Sequence, residues 1–174
     1  GGGVNNLSLN ASTRFSQKVA LSIACISCLS LTNLHATWHL GADTGLQRGC
    51  KASIIRGQAF VIGPKDGQDR CQGDWTNFNT DETSGGYTLR LNKTTLNNYT
   101  ITTSVDSSRV WANGVLNGST IGTANIEGKM RVELRVENGT STISTLNHTA
   151  NLLHLKGGGG KLDINTFNQT SENS

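Results

Sequence analysis

The residues whose types and spacing could do chemistry are four histidines, four cysteines and three tryptophans. His148 and His154 lie an even number of positions apart, so a continuous strand would turn both to one face. No Asp, Glu or Cys between them completes a zinc or copper set. His35 and His39 stand at helical spacing, on either side of Ala36 and Thr37. No Gly-x-Ser-x-Gly elbow is present, and Gly157–Gly160 lack the Lys-Ser/Thr that completes a phosphate loop. These absences predict no catalytic residue, no cofactor and no metal. Trp38, Trp75 and Trp111 are the candidate ligand contacts: an indole ring stacks on a sugar while neighbouring Asn and Thr groups bond its hydroxyls.

Two tripeptides resemble motifs of known families. Asp43-Thr44-Gly45 resembles the active-site motif of aspartic proteases, which implies a dimeric enzyme with paired Asp residues sharing a proton. Gly41-Ala42 before it and Leu46 after it depart from that family's pattern, and the same tripeptide is an ordinary turn. Gly73-Asp74-Trp75 resembles the Gly-x-Trp of lipocalins, which implies a closed barrel around a small apolar ligand. Each resemblance covers three residues, and a turn and a core or rim tryptophan account for them as well.

The address of the chain is more legible than its chemistry. Lys18 leads an apolar run from Val19 to Leu31, and Ala36 closes the segment before Thr37. A basic start, a short apolar core and a small residue at the cut form a secretory signal. The apolar core is shorter than the roughly 20 residues that span a bilayer as a helix. The expectation is a leader over 1–36 with an apolar helix, then an exported chain from Thr37 with no stable membrane span. Cys25 and Cys28 fall inside the leader, where a redox or metal pair or a lipoprotein cysteine are the competing readings. Cys50 and Cys71 remain, and in an oxidising compartment they pair with each other.

Arg14 and Lys18 are the only charged residues of 1–36, so the chain from Thr37 onward is almost balanced in charge. No run of basic residues occurs, which argues against nucleic acid as a partner. The part after the leader is rich in Thr, Asn, Ser and Gly, and its apolar residues recur with period two. Met130, Val132, Leu134 and Val136 alternate with Arg131, Glu133, Arg135 and Glu137, the pattern of a strand with one buried face. Asn138-Gly139 comes next and predicts a hairpin turn, with Ser141–Leu146 as the returning strand. About 8–10 short strands separated by turn signals predict an all-β antiparallel sandwich or up-and-down barrel.

The expected organisation is a β domain over 37–156, a glycine linker over 157–160, then a terminal strand and polar tail over 161–174. After the leader, Asn-x-Ser/Thr sequons begin at Asn92, Asn98, Asn117, Asn138, Asn147 and Asn168. They would carry glycans if the source modifies them. The whole predicts a secreted, periplasmic or cell-surface module that is not an enzyme. Its partner would be a protein, a glycan or another copy of itself, by strand exchange.

Overall fold

The computed structural model describes residues 3–9, 14–15, 38–40, 48–55, 59–80, 88–103, 111–128, 131–149 and 152–170. For 3–9, 14–15, 38–40, 54, 55, 59, 74, 75 and 80 the description is of backbone alone. The strands in chain order are β1 (Gly3–Leu9), β2 (Arg14–Phe15), β3 (Trp38–Leu40), β4 (Cys50–Ile55), β5 (Ala59–Pro64), β6 (Cys71–Thr80) and β7 (Thr88–Asn92). They continue with β8 (Thr94–Thr103), β9 (Trp111–Asn117), β10 (Thr120–Ile126), β11 (Arg131–Arg135), β12 (Thr140–His148), β13 (Leu152–Lys156) and β14 (Lys161–Gln169). No helix occurs among the described residues.

From β5 onward the chain coils. Each turn lays a strand in one sheet, rounds a corner and lays the next strand in the other sheet. The second strands of successive turns pair in parallel, β6 with β8, β8 with β10, β10 with β12 and β12 with β14. The first strands do the same, β5 with β7, β7 with β9 and β11 with β13. The result is a parallel β-solenoid of about four turns.

This overturns the expected antiparallel sandwich or barrel, and with it the lipocalin-like cavity. Period-two alternation reports that one face of a strand is buried; it says nothing of the direction of the neighbouring strand. Val132, Leu134 and Val136 are buried as the alternation requires. Their strand, however, pairs in parallel with β13, Arg131 opposite Leu152, and not with the strand next to it in sequence. Gly139 has the positive φ of 72° that Asn-Gly favours. The turn it makes is a corner between sheets, where a hairpin was expected.

The corners repeat. Lys93, Gly118 and Gly139 all have positive φ. They are joined by backbone bonds such as Lys93 N–H to Asn117 O at 2.8 Å. Asn117 Nδ2 donates to Asn92 Oδ1 at 3.2 Å, while Asn117 Oδ1 accepts from the Glu137 and Asn138 backbone at 2.9 and 3.2 Å. Just inside the corner, Thr94, Ser119 and Ser141 are fully buried. Their hydroxyls bond backbone carbonyls, Ser119 to Leu91 at 2.7 Å and Ser141 to Leu116 at 2.8 Å. Buried polar groups are tolerated here because each has a partner.

Gly157–Gly160 form the corresponding corner of the last turn. Gly157 is buried, Gly160 N–H donates to Gly157 O at 2.9 Å, and Lys161 N–H donates to Gly139 O at 2.9 Å. The glycines lie against the backbone of Val136–Gly139 from the turn before. This segment, expected to be a flexible joint, is a packed bend.

The core is a thin slab between a long seven-stranded sheet, in the order β1-β14-β12-β10-β8-β6-β3, and a facing layer made of the β4-β5-β7-β9 and β11-β13-β2 sheets. Leu96, Ile121, Ile143 and Ile164 form one buried file across the parallel strands, and Phe78, Ile101 and Ile126 another. Leu91, Leu116 and Val136 are buried on the facing sheet. Each such side chain contributes about 1.5–3 kcal/mol on burial. A slab one side chain deep from each sheet needs few aromatics, in keeping with their 5% share of the sequence.

Candidate functional site

The disulfide read from the sequence is present: Cys50 and Cys71 are bonded, with Cα atoms 4.9 Å apart. It fastens β4 to β6, the first of the parallel strands of the long sheet. The three candidate tryptophans do not converge. Trp38 is on β3 at the end of the long sheet, opposite Thr80, and Trp75 is on β6, opposite Asn98. Both are described by backbone alone. Trp111 opens β9 on the other sheet, half-buried, with the Arg131 guanidinium 5.0 Å from its ring centre and the His154 ring 6.4 Å away. The cation over this indole occupies a face that a sugar would need for stacking. The apolar run over 19–31 expected as a helix, with Cys25 and Cys28, the expected cut after Ala36 and Asp43-Thr44-Gly45 lie outside the described residues.

Around Trp111 the alternating charges of β11 form a network. Glu133 and His154 are register partners, and His154 Nδ1 is 3.2 Å from Glu133 Oε2. Arg135 bridges Glu133 at 3.2 Å and Glu137 at 2.9 Å, and Arg90 also pairs with Glu137. Burial pulls the Glu137 carboxyl upward, but the bonds and charges of Arg90 and Arg135 outweigh it and hold the group below the usual carboxylate range. A network that ties Arg90 on β7 to the charges of β11 and to His154 on β13 is a lateral staple across the turns. Sequence reasoning saw the alternating charges as a solvated face; which Glu meets which Arg depends on the stacking of turns.

The histidines do not form a centre. His148 is on β12 and His154 on β13, in different sheets. Among the described residues no group of His, Cys, Asp and Glu could hold a metal ion. His148 is fully buried, stacked on Phe167 with ring centres 6.4 Å apart. Neither ring nitrogen has a hydrogen-bond partner among the described residues. Burial pushes its pKa down to about 4. A depressed histidine pKa means that stability is full above the ordinary value near 6.5 and falls as pH drops toward the folded value. Acidification from pH 7 to pH 4 should therefore cost about 2–3 kcal/mol from this group. His148→Leu should remove that part of the acid sensitivity, read as a flatter dependence of the urea midpoint on pH. An unchanged pH profile in the variant would show that His148 is not the group responsible.

The most extensive feature is the outer face of the long sheet. Asn98, Thr123, Thr145 and Thr166 form one half-exposed file across β8, β10, β12 and β14. Two residues along each strand, Thr100, Asn125, Asn147 and Asn168 form a second. This file is a hydrogen-bonded ladder: Asn125 Nδ2 donates to Thr100 Oγ1 at 3.4 Å, Asn147 Nδ2 to Asn125 Oδ1 at 2.9 Å, and Asn168 Nδ2 to Asn147 Oδ1 at 3.0 Å. A third file carries Thr95, Thr120 and Thr142 and ends at Asp163 on β14. Arg70 anchors its edge, bonding Thr95 Oγ1 at 3.1 Å and Gly118 O at 2.8 Å.

Over 95–102, 120–126 and 142–149 there is no Asp, Glu, Lys or Arg. From β8 to β12 the face is therefore an uncharged lattice of hydroxyls and amides, repeated at about 4.8 Å across the strands, and Asp163, paired with Lys161, borders it on β14. The amide nitrogens of Asn117, Asn147 and Asn168, all in sequons, are engaged inside the ladders. The sequence carried a signal for this face in Thr-Ala-Asn, Thr-Leu-Asn and Thr-Phe-Asn at 123–125, 145–147 and 166–168. No family model matches the chain, and no curated protein or solved structure matches it either.

Proposed function

We propose that this chain is an exported, non-enzymatic surface module whose solenoid presents the Thr/Asn face of the long sheet as a recognition surface for glycans. The observation that supports it is the pair of files Asn98–Thr123–Thr145–Thr166 and Thr100–Asn125–Asn147–Asn168 on consecutive strands. A polysaccharide presents hydroxyls at regular intervals and carries no need for a charged partner. Rows of fixed hydroxyls and amides match that chemistry, and the Asn ladder holds its rotamers in advance, which reduces the entropy lost on binding. Localisation at a cell surface or outside the cell accords with the leader reading and suits the Cys50–Cys71 bond.

The test is binding to a panel of insoluble and soluble polysaccharides, with Thr123→Glu/Thr145→Glu as the disabling variant and Lys156→Glu, on the other sheet, as the control. At least one polysaccharide should bind to the parent and the control, and the double variant should lose most of that binding with an unchanged circular dichroism spectrum. Binding that survives the double variant, or binding to no glycan together with capture of a protein, would discard the glycan reading.

A further inference from the structure

We infer that β1 and β2, both within residues 1–36, cap one end of the solenoid, and that removal of 1–36 opens a strand edge through which two copies of this chain pair end to end. The first and last turns of a parallel solenoid leave backbone N–H and C=O groups without partners unless something covers them. At the first turn β4 lies antiparallel on β5 and β3 antiparallel on β6. Both covering strands come after Ala36, and the Cys50–Cys71 bond secures one of them. At the last turn the covers come from the other side of the expected cut: β1 lies antiparallel on β14 and β2 antiparallel on β13. The β1 register continues the files of the sheet. Val4, Leu7 and Leu9 stand opposite Phe167, Ile164 and Leu162, while Asn5 stands opposite Thr166.

This inference rests on the reading of 1–36 as a removable leader. Once it is removed, β14 and β13 lose the strands that cover them, while β4 and β3, which follow Ala36, stay on the first turn. Two copies that pair through β14 alone form a closed two-fold dimer. β14 fits a second β14 in the antiparallel sense that β1 already uses. With Ile164 of one copy opposite Phe167 of the other, Leu162 meets Gln169, Asp163 meets Asn168 and Asn165 meets Thr166. Each pair joins an inward position to an inward one or an outward position to an outward one. A slip of one residue would set core positions against solvent positions, so this register is selected.

The experiment uses the full chain with a protease recognition sequence inserted between Ala36 and Thr37, cut after folding. Molar mass is tracked by light scattering and the released fragment by mass spectrometry. The uncut chain should have the mass of one copy; after cutting, the fragment should leave and the mass should double. In N165K/T166K, like charges meet across the two-fold axis and the cut chain should stay a single copy. In N165K/T166E, opposite charges meet at the same places and the doubled mass should return. Both positions face outward, so circular dichroism should not change. A dimer before cutting, a fragment that stays on a single copy, a single-copy mass after the fragment leaves, open filaments, or identical behaviour of the two charge variants would each overturn the inference. N-terminal sequencing of exported protein tests the leader reading separately: an intact terminus there would overturn that reading, while the engineered cut still decides the edge.

Discussion

Gly160→Ala is expected to destabilise the protein by about 3 kcal/mol, lowering the melting temperature by roughly 10 °C. A Cβ at this position would lie 2.5 Å from Gly139 O, 2.5 Å from Val136 Cγ1 and 2.9 Å from Asn138 C. Two of those atoms are backbone in the preceding corner and cannot rotate away. Relief requires the last turn to lift from the one before it, which would disturb both the Lys161 N–H bond to Gly139 O and the packing of Leu162 and Ile164 just beyond. Gly67→Ala is the control. Gly67 has φ of 86° in an exposed turn with nothing within 4 Å of the added atom. Its cost should be limited to backbone strain, about 1–2 kcal/mol. Thermal melts of the two variants separate the possibilities. Equal, small losses would mean that the glycine run is a loose tether after all.

Cys50→Ser/Cys71→Ser is expected to cost about 3 kcal/mol in the chain-entropy account of a bond closing a loop of this size. The loss should be local in its first effect. In a solenoid each turn touches only its neighbours, so stability is distributed along the axis. Freeing Cys50 releases β4 from β6, and the edge of β5 loses the support of its only covering strand among the described residues. Amide exchange should therefore accelerate in β4 and β5 well before β10, β12 and β14 lose protection. Uniform acceleration through all the strands would show a single cooperative unit and contradict the layered account. Reduction of the parent protein should reproduce the same order.

Much of the local structure could be read from residue order. The burial of Val132, Leu134 and Val136, the turn at Asn138-Gly139 and the Cys50–Cys71 bond all derive from patterns confined to a few residues or from the count of cysteines. The all-β character of the chain was legible in the same way. The candidate site was less so. Trp111 stood out as an isolated aromatic, but its cover by Arg131 comes from the next turn of the solenoid. The Thr and Asn residues of the long sheet looked like composition until their strands were set side by side.

What the sequence by itself determined is the set of strand faces and corners, because alternation and positive-φ turns act through adjacent residues. What only the tertiary structure decided is the direction and identity of each neighbour. A strand that buries one face is satisfied equally by an antiparallel partner just after it or a parallel partner one full turn later. Here the second arrangement closes the backbone bonds of every inner turn of the long sheet, and it brings Asn125, Asn147 and Asn168 into one ladder and Glu133 beside His154. The choice is made by the sum of stacked rows across successive turns, and no short window of sequence contains that sum.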